Sequence, residues 1–313
     1  MPSSLQILDV QLPRPLGDRR KIGARGGSLR EVDGWKETVA SYYNAKTAAL
    51  LKKYGPGPRI HYHMGLFAGH FASVAAPEAM RQRLVNAQEA LLMRAAGAWQ
   101  AERTFTGDVL DVGCGLGGGS IFWAQHFGAR VTSVTVAKDH IPLIARFAGD
   151  AGVADRVRPI LAEACEVPTD RAYDTAVAVE SSCYFDRDRW FQHLAKLIRP
   201  GGYVCIEDIF QLRSGGTALW DSYFHARSSS VAQYTEAAKT AGFELDVNVD
   251  VTTETPEFWV QSMGWVDAVL GTEPLDDAEQ HRLQESRKVH AGLYQEWIGG
   301  GLEVRLLRFR RVR

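Results

Sequence analysis

Val109-Leu110-Asp111-Val112-Gly113-Cys114-Gly115-Leu116-Gly117-Gly118-Gly119 is the stretch on which the reading of this chain turns. Asp108 to Val112 has the apolar character of a short strand, and Ser120 to His126 opens a helix. Glycines in the turn between them let the backbone approach a ligand closely, in dihedrals that a Cβ would forbid. The spacing also satisfies G-x-G-x-x-G through Gly113, Gly115 and Gly118, the fingerprint of dinucleotide-binding folds. Taken alone, that match leaves an NAD-dependent oxidoreductase open.

Downstream of this turn the chain alternates. Arg130 to Val136 is a β-branched strand, and Asp139 to Ala151 a helix. Val157 to Leu161 and Tyr173 to Val179 read as the third and fourth strands, and Arg187 to Leu197 as a helix. Arg199-Pro200-Gly201-Gly202 is a turn before a fifth strand, Tyr203 to Ile209. Alternation of this kind implies a parallel sheet covered on both faces, with ligands at the carboxyl edge of its strands. Val231 to Ala241 reads as a helix. Phe243 to Val251 and Glu303 to Val312 read as strands with helices between them, a hairpin-like pair closing the sheet, one of its strands antiparallel.

Upstream the pattern is helical. Trp35 to Lys53 carries Val39, Tyr42, Tyr43, Ala49 and Leu50 at helical spacing, with Lys46 interrupting that apolar stripe. Gly55-Pro56-Gly57-Pro58 stops it, and a second helix is expected over Pro77 to Glu102. Residues 1 to about 30, with Arg19-Arg20-Lys21, read as a loosely ordered arm. The predicted organisation is an arm and helical cap over 1–104 and a Rossmann-like α/β domain over 105–313, with substrate-lid insertions in about 211–300.

The 313 residues hold 36 basic and 37 acidic side chains, a net charge of -1, which argues against a nucleic-acid partner. Cys114, Cys165, Cys183 and Cys205 are scattered and predict reduced thiols in a cytoplasmic protein. No apolar run approaches the ~20 residues of a membrane span, and Met1 to Val10 does not read as a signal peptide.

Three features favour S-adenosylmethionine (SAM) over a dinucleotide. Asp111 precedes the first glycine by two residues; a carboxylate there repels a pyrophosphate but attracts the ammonium and sulfonium of SAM. The loop begins behind a helical cap. The following elements then resemble the class I methyltransferase family, in which Ala162-Glu163-Ala164 falls at the adenine contact and Leu197-Ile198-Arg199-Pro200-Gly201-Gly202 at the turn before strand five. One departure concerns the ribose: where an acid usually ends strand two, this chain has Val134-Thr135-Val136. Thr135 can still hydrogen-bond a hydroxyl.

Within that class, Ile60-His61-Tyr62-His63-Met64-Gly65 and Glu180-Ser181-Ser182-Cys183-Tyr184 resemble segments of geranyl diphosphate C-methyltransferases. Tyr223-Phe224-His225 and Pro256-Glu257-Phe258-Trp259 have counterparts there as well. Sterol and tocopherol C-methyltransferases share the core. The resemblance implies methyl transfer to an alkene carbon of a prenyl diphosphate, geranyl diphosphate first, with Mg2+ bridging the diphosphate, in a homo-oligomer; isopentenyl or farnesyl diphosphate, or a prenylated natural product without diphosphate, is the alternative substrate. Such a reaction creates a carbocation, which calls for aromatic faces and a base. Glu180 is the candidate base, with Tyr184 beside it; the other readings of Glu180 are a partner for a cap arginine or for the SAM ammonium. Tyr43, Asp111, Gly113, Gly115, Thr135 and Glu163 are the expected cofactor residues, with Asn44 near Tyr43 over the cofactor. His61, Tyr62, His63, Trp220, Tyr223, Phe224, His225 and Trp259 are expected at the substrate, aided by Arg59 and Arg187. Trp220 is singled out as a wall limiting prenyl length. Ordinary core packing is the competing reading for each aromatic, and a segment lining the SAM entrance is the one for His61 to His63. No set of metal-ligating residues stands out.

Overall fold

The computed structural model describes residues 29–69 and 75–312. The expected N-terminal arm lies almost entirely outside the described residues. Three cap helices come first: α1 (Leu29–Tyr54), α2 (Pro77–Trp99) and the short α3 (Ala101–Thr104). The single helix expected over Pro77 to Glu102 is broken at Gln100, which turns left-handed (φ 56°) and donates its N–H to the carbonyls of Ala96 and Gly97. Then follow β1 (Asp108–Val112), α4 (Gly118–Phe127), β2 (Arg130–Thr135), α5 (His140–Asp150), β3 (Val157–Leu161), β4 (Tyr173–Val179), α6 (Arg187–Leu197) and β5 (Ile198–Gln211). The chain closes with α7 (Ala218–Phe224), α8 (Val231–Thr240), β6 (Phe243–Asp250), α9 (Glu257–Thr272), α10 (Asp277–Ile298) and β7 (Leu302–Arg311).

The seven strands lie in the order β3-β2-β1-β4-β5-β7-β6. All are parallel except β7, which runs antiparallel between β5 and β6. This is the class I methyltransferase sheet. β6 and β7 pair at the closing edge with α9 and α10 between them, as expected, and β6 is the edge strand. One expectation changes. The turn expected at Arg199 to Gly202 lies inside β5, where Ile198 pairs with Tyr173 across a register shift. Gly202 is required there, since a Cβ would stand 2.5 Å from the carbonyl oxygen of Asp174.

Alternation along β5 divides the core. Cys205 and Ile209 face the apolar layer that holds α2, α4 and α9. Val204, Ile206 and Phe210 face the layer of α6 and α8, with Trp190 and Phe191 at its centre. A sheet covered on both faces leaves its carboxyl edge as the open concavity. Among the described residues no helix is long and apolar enough to cross a membrane.

Candidate active site

The carboxyl ends of β1, β2 and β4 open onto a cavity of about 1090 Å3, counting its mouth. Gly113, Gly115 and Gly117 take φ values of +78°, +55° and +82°, a backbone that favours glycine. A Cβ on Gly118 would stand 2.3 Å from the carbonyl oxygen of Ile60, so the loop and the cap are fitted backbone to backbone. Gly115 by contrast faces open space. Asp111 is buried at the loop's root, where Ser120 Oγ donates to its carboxylate at 2.6 Å and Ser133 Oγ donates to Ser120 Oγ at 2.7 Å. Burial pushes its carboxyl up to about 6, against the pull of the Ser120 hydroxyl. A buried acid beside an open glycine cradle fits the cationic amino-acid end of SAM.

The cap is clasped to this loop. His140 bonds the Gly115 carbonyl through Nδ1 (3.0 Å) and Thr47 Oγ1 through Nε2 (3.1 Å), tying the glycine loop and α1 together. At the opposite rim Lys36 reaches Glu166 (2.9 Å) and Glu163 (3.7 Å). Glu163 also accepts from Cys165 N at 2.7 Å, and Thr135 Oγ1 from Ala137 N at 3.1 Å. Asn44 accepts from Asp139 N at 3.3 Å, so it braces the rim. Trp35, Lys36 and His140 line the cavity although the sequence reading did not single them out.

Glu180 follows directly on β4 with φ +44°, an uncommon conformation for a residue with a side chain. Its N–H donates to the Glu207 carbonyl (2.8 Å), and Met64 N donates to its Oε1 (2.5 Å). The side chain lines the same cavity as the glycine loop. Burial, with Asp208 nearby, raises the Glu180 carboxyl well above the usual range, and the Met64 N–H opposes that. Asp208 holds the segment after Glu180, accepting from Ser182 Oγ (2.6 Å) and Cys183 N (2.9 Å). Glu207 is buried with both carboxylate oxygens unpartnered, and its carboxyl is likewise raised, by burial and by Glu180. Two adjacent acids inside the apolar strand Cys205-Ile206-Glu207-Asp208-Ile209-Phe210 were the available signal for this acidic support.

Tyr184 accepts from the Tyr43 hydroxyl (3.0 Å) and donates to the Phe224 carbonyl (3.1 Å), which fixes both rings in the wall. Tyr62 packs edge-on against Tyr43 at 6.0 Å and Phe224 at 6.4 Å. His61 and His63 line the cavity, but burial lowers both pKa values, His63 to about 3. They are neutral imidazoles, so they offer hydrogen bonds without charge. Arg59 is spent on Glu89 (2.7 and 3.1 Å), and Arg187 bonds Ser229 (2.7 Å). Trp220 and Trp259 lie outside this cavity in a tryptophan cluster, 5.6 and 5.3 Å from Trp297. His225 packs on Tyr42, and Tyr223 accepts a hydrogen bond from Lys46. Among the described residues no group of three or more His, Cys, Asp or Glu side chains could hold a metal ion.

Comparison with known proteins agrees with this architecture. A family model described as a methyltransferase domain matches residues 109–202, from β1 into β5. With the glycine loop and Asp111, that match makes the chain a SAM-dependent class I methyltransferase. Geranyl diphosphate 2-C-methyltransferase of Streptomyces lasalocidi is 27% identical over 255 residues, 75% of this chain and 83% of that protein. A solved geranyl diphosphate methyltransferase in complex with GPP and sinefungin superimposes with a TM-score of 0.74, at 20% identity over 89% of this chain and 100% of that one. The Streptomyces coelicolor geranyl diphosphate C-methyltransferase, in complex with Mg2+, geranyl diphosphate and S-adenosyl-L-homocysteine, gives 0.71 at 18% identity, over 89% and 98%.

Proposed function

We propose that this enzyme transfers the SAM methyl group to an alkene carbon of a prenyl diphosphate, geranyl diphosphate first, and that Glu180 removes the proton that ends the reaction. One observation carries the reading: a carboxyl oriented by the Met64 N–H stands in the same tyrosine-walled cavity as the cofactor loop. SAM when bound supplies an electrophilic methyl. Asp111 would face its cationic end, while Thr135 and Glu163 would serve the ribose and adenine. An alkene needs no activating base before attack, which suits a site whose acid is buried and has its pKa raised by that burial. A cationic sulfur or carbon nearby favours the ionised carboxylate, so the base is readied by its own substrates. Tyr43, Tyr62 and Tyr184 present ring faces and edges around that position; a desolvated cation over such a face gains about 1 to 2 kcal/mol.

The relatives named above support the substrate class, and Mg2+ is proposed to act mainly through the diphosphate. The test is incubation with labelled SAM and a panel of prenyl diphosphates, with product mass spectrometry and an EDTA control. A methylated geranyl diphosphate and loss of turnover in EDTA are expected. Transfer only to a prenylated compound lacking diphosphate, unaffected by EDTA, would replace this reading.

A further inference from the structure

Lys46 interrupts the apolar stripe of α1, and the structure gives it an unusual setting. Its ammonium stands 4.6 Å from the Tyr42 ring centroid and 4.4 Å from that of Tyr223, whose hydroxyl it meets at 3.1 Å. Lys53, two helical turns on and about 10 Å along the axis, lies over Tyr54 (5.2 Å) and Trp265 (5.6 Å). Its neighbour Lys52 pairs with Glu273 and Glu279, whereas neither Lys46 nor Lys53 has a carboxylate partner among the described residues. From α10, His290 packs at a tilt 5.6 Å from Trp259, buried, with Nδ1 unpartnered. The indole N–H groups of Trp259 and Trp265 are buried and unpartnered too.

Every one of these groups either carries positive charge or can donate a hydrogen bond, and they converge. The charges of Lys46 and Lys53 both bear on His290. Burial holds Lys53 down to about 7, and Lys46 adds like-charge repulsion. Of the acids on the surrounding helices, Glu296 caps Leu219 and Trp220, Asp221 holds Thr217 and Ser228, and buried Glu257 accepts from Gln261. Tyr42, Tyr54 and Tyr223 also face the lysines, through their rings. The cluster adjoins the cavity across Tyr62, which lines the cavity and packs on Tyr54 at 6.2 Å. Tyr54 in turn feels the charge of Glu180.

We propose that Lys46, Lys53 and His290 form a subsite for a multiply charged phosphate-bearing head, on the far side of Tyr62 from Glu180. As a statement about the substrate this rests on the prenyl diphosphate reading; as an anion site it stands by itself. An elongated molecule would then lie with its alkene at Glu180, its hydrocarbon along Tyr62 and Tyr54, and its phosphates at the lysines. An anion there relieves both the desolvation and the mutual repulsion of the ammonium groups, so Lys53 takes up a proton as the head binds. Affinity therefore falls as pH rises from 7 towards 9, where free Lys53 is neutral.

The experiment is calorimetric titration of inorganic pyrophosphate, with Mg2+, into the full chain saturated with S-adenosylhomocysteine. Lys46→Met and Lys53→Met keep the aliphatic stems and should each weaken binding at least ten-fold. Lys53→Arg should stay within about three-fold of the parent, and Lys52→Met should be unchanged. Retained S-adenosylhomocysteine binding certifies that each variant is folded. No pyrophosphate binding by the parent, or equal losses in Lys52→Met and Lys53→Met, overturns the subsite. Lysine-dependent pyrophosphate binding without methylation of geranyl diphosphate keeps the subsite and removes the substrate reading. Turnover of geranyl diphosphate indifferent to both lysines does the reverse.

Discussion

Glu180 is asked to do two things that conflict in an empty protein: remain buried, and be ionised when a proton has to be taken. The Met64 N–H and the left-handed backbone hold its carboxyl in place, while burial raises its pKa. Glu180→Gln keeps the hydrogen-bond geometry and loses the basicity, so kcat for methyl transfer should fall by roughly 10²- to 10⁴-fold. Affinity for S-adenosylhomocysteine should barely change; wild-type turnover in this variant would remove Glu180 from the chemistry. Asp111 yields a second prediction. Its carboxyl titrates near 6 in the free protein, raised by burial. A bound sulfonium favours the ionised form, so SAM affinity should be level above about pH 6 and decline as pH drops below it. Asp111→Asn should flatten that pH dependence and weaken SAM roughly ten-fold, the loss of one charged hydrogen-bonding partner. Calorimetry from pH 5 to 8 on both proteins reads this directly.

Among the elements, α1 does the most to assemble the site. It brings Lys36 to Glu163 and Glu166, Tyr43 to Tyr184 and Thr47 to His140, three points spread along one helix. Its periodicity was readable in the sequence, and so was the intrusion of Lys46. What that lysine faces was not, because Tyr223, Trp265 and His290 come from three helices far along the chain. The strand–helix alternation from β1 to β5 was legible for the opposite reason: each unit is written locally, in β-branched runs and glycine turns. His140 escaped notice because a histidine after Asp139 reads as an ordinary helix start. The tryptophans show the limit of reading bulky residues as pocket walls. Trp220 packs 4.3 Å from Phe224 and edge-on to Trp259 and Trp297, with almost no exposure. Trp220→Ala is therefore expected to cost about 3–5 kcal/mol of stability, by denaturant unfolding, whatever it does to chain-length preference.

At the scale of the whole molecule, cofactor and cap are energetically joined. The loop, α1 and the 60–65 segment meet around one cavity, and a ligand that binds only the assembled state stabilises all of it. S-adenosylhomocysteine at a hundred times its Kd should add about 2.7 kcal/mol, a rise in Tm of roughly 5 °C, while NADH should add nothing. A thermal melt with each ligand distinguishes the two, and stabilisation by NADH alone would reverse the cofactor assignment made from Asp111 and the glycine turn.

The antiparallel β7 has a consequence for biogenesis. It slots between two strands that emerge from the ribosome before it, so a nascent chain that has made β6 but not β7 carries two raw sheet margins side by side. Such margins recruit other chains. Synthesis stalled or cut ahead of Leu302 should give inclusion bodies in place of a smaller soluble enzyme, and a chaperone that shields those margins should act late in translation.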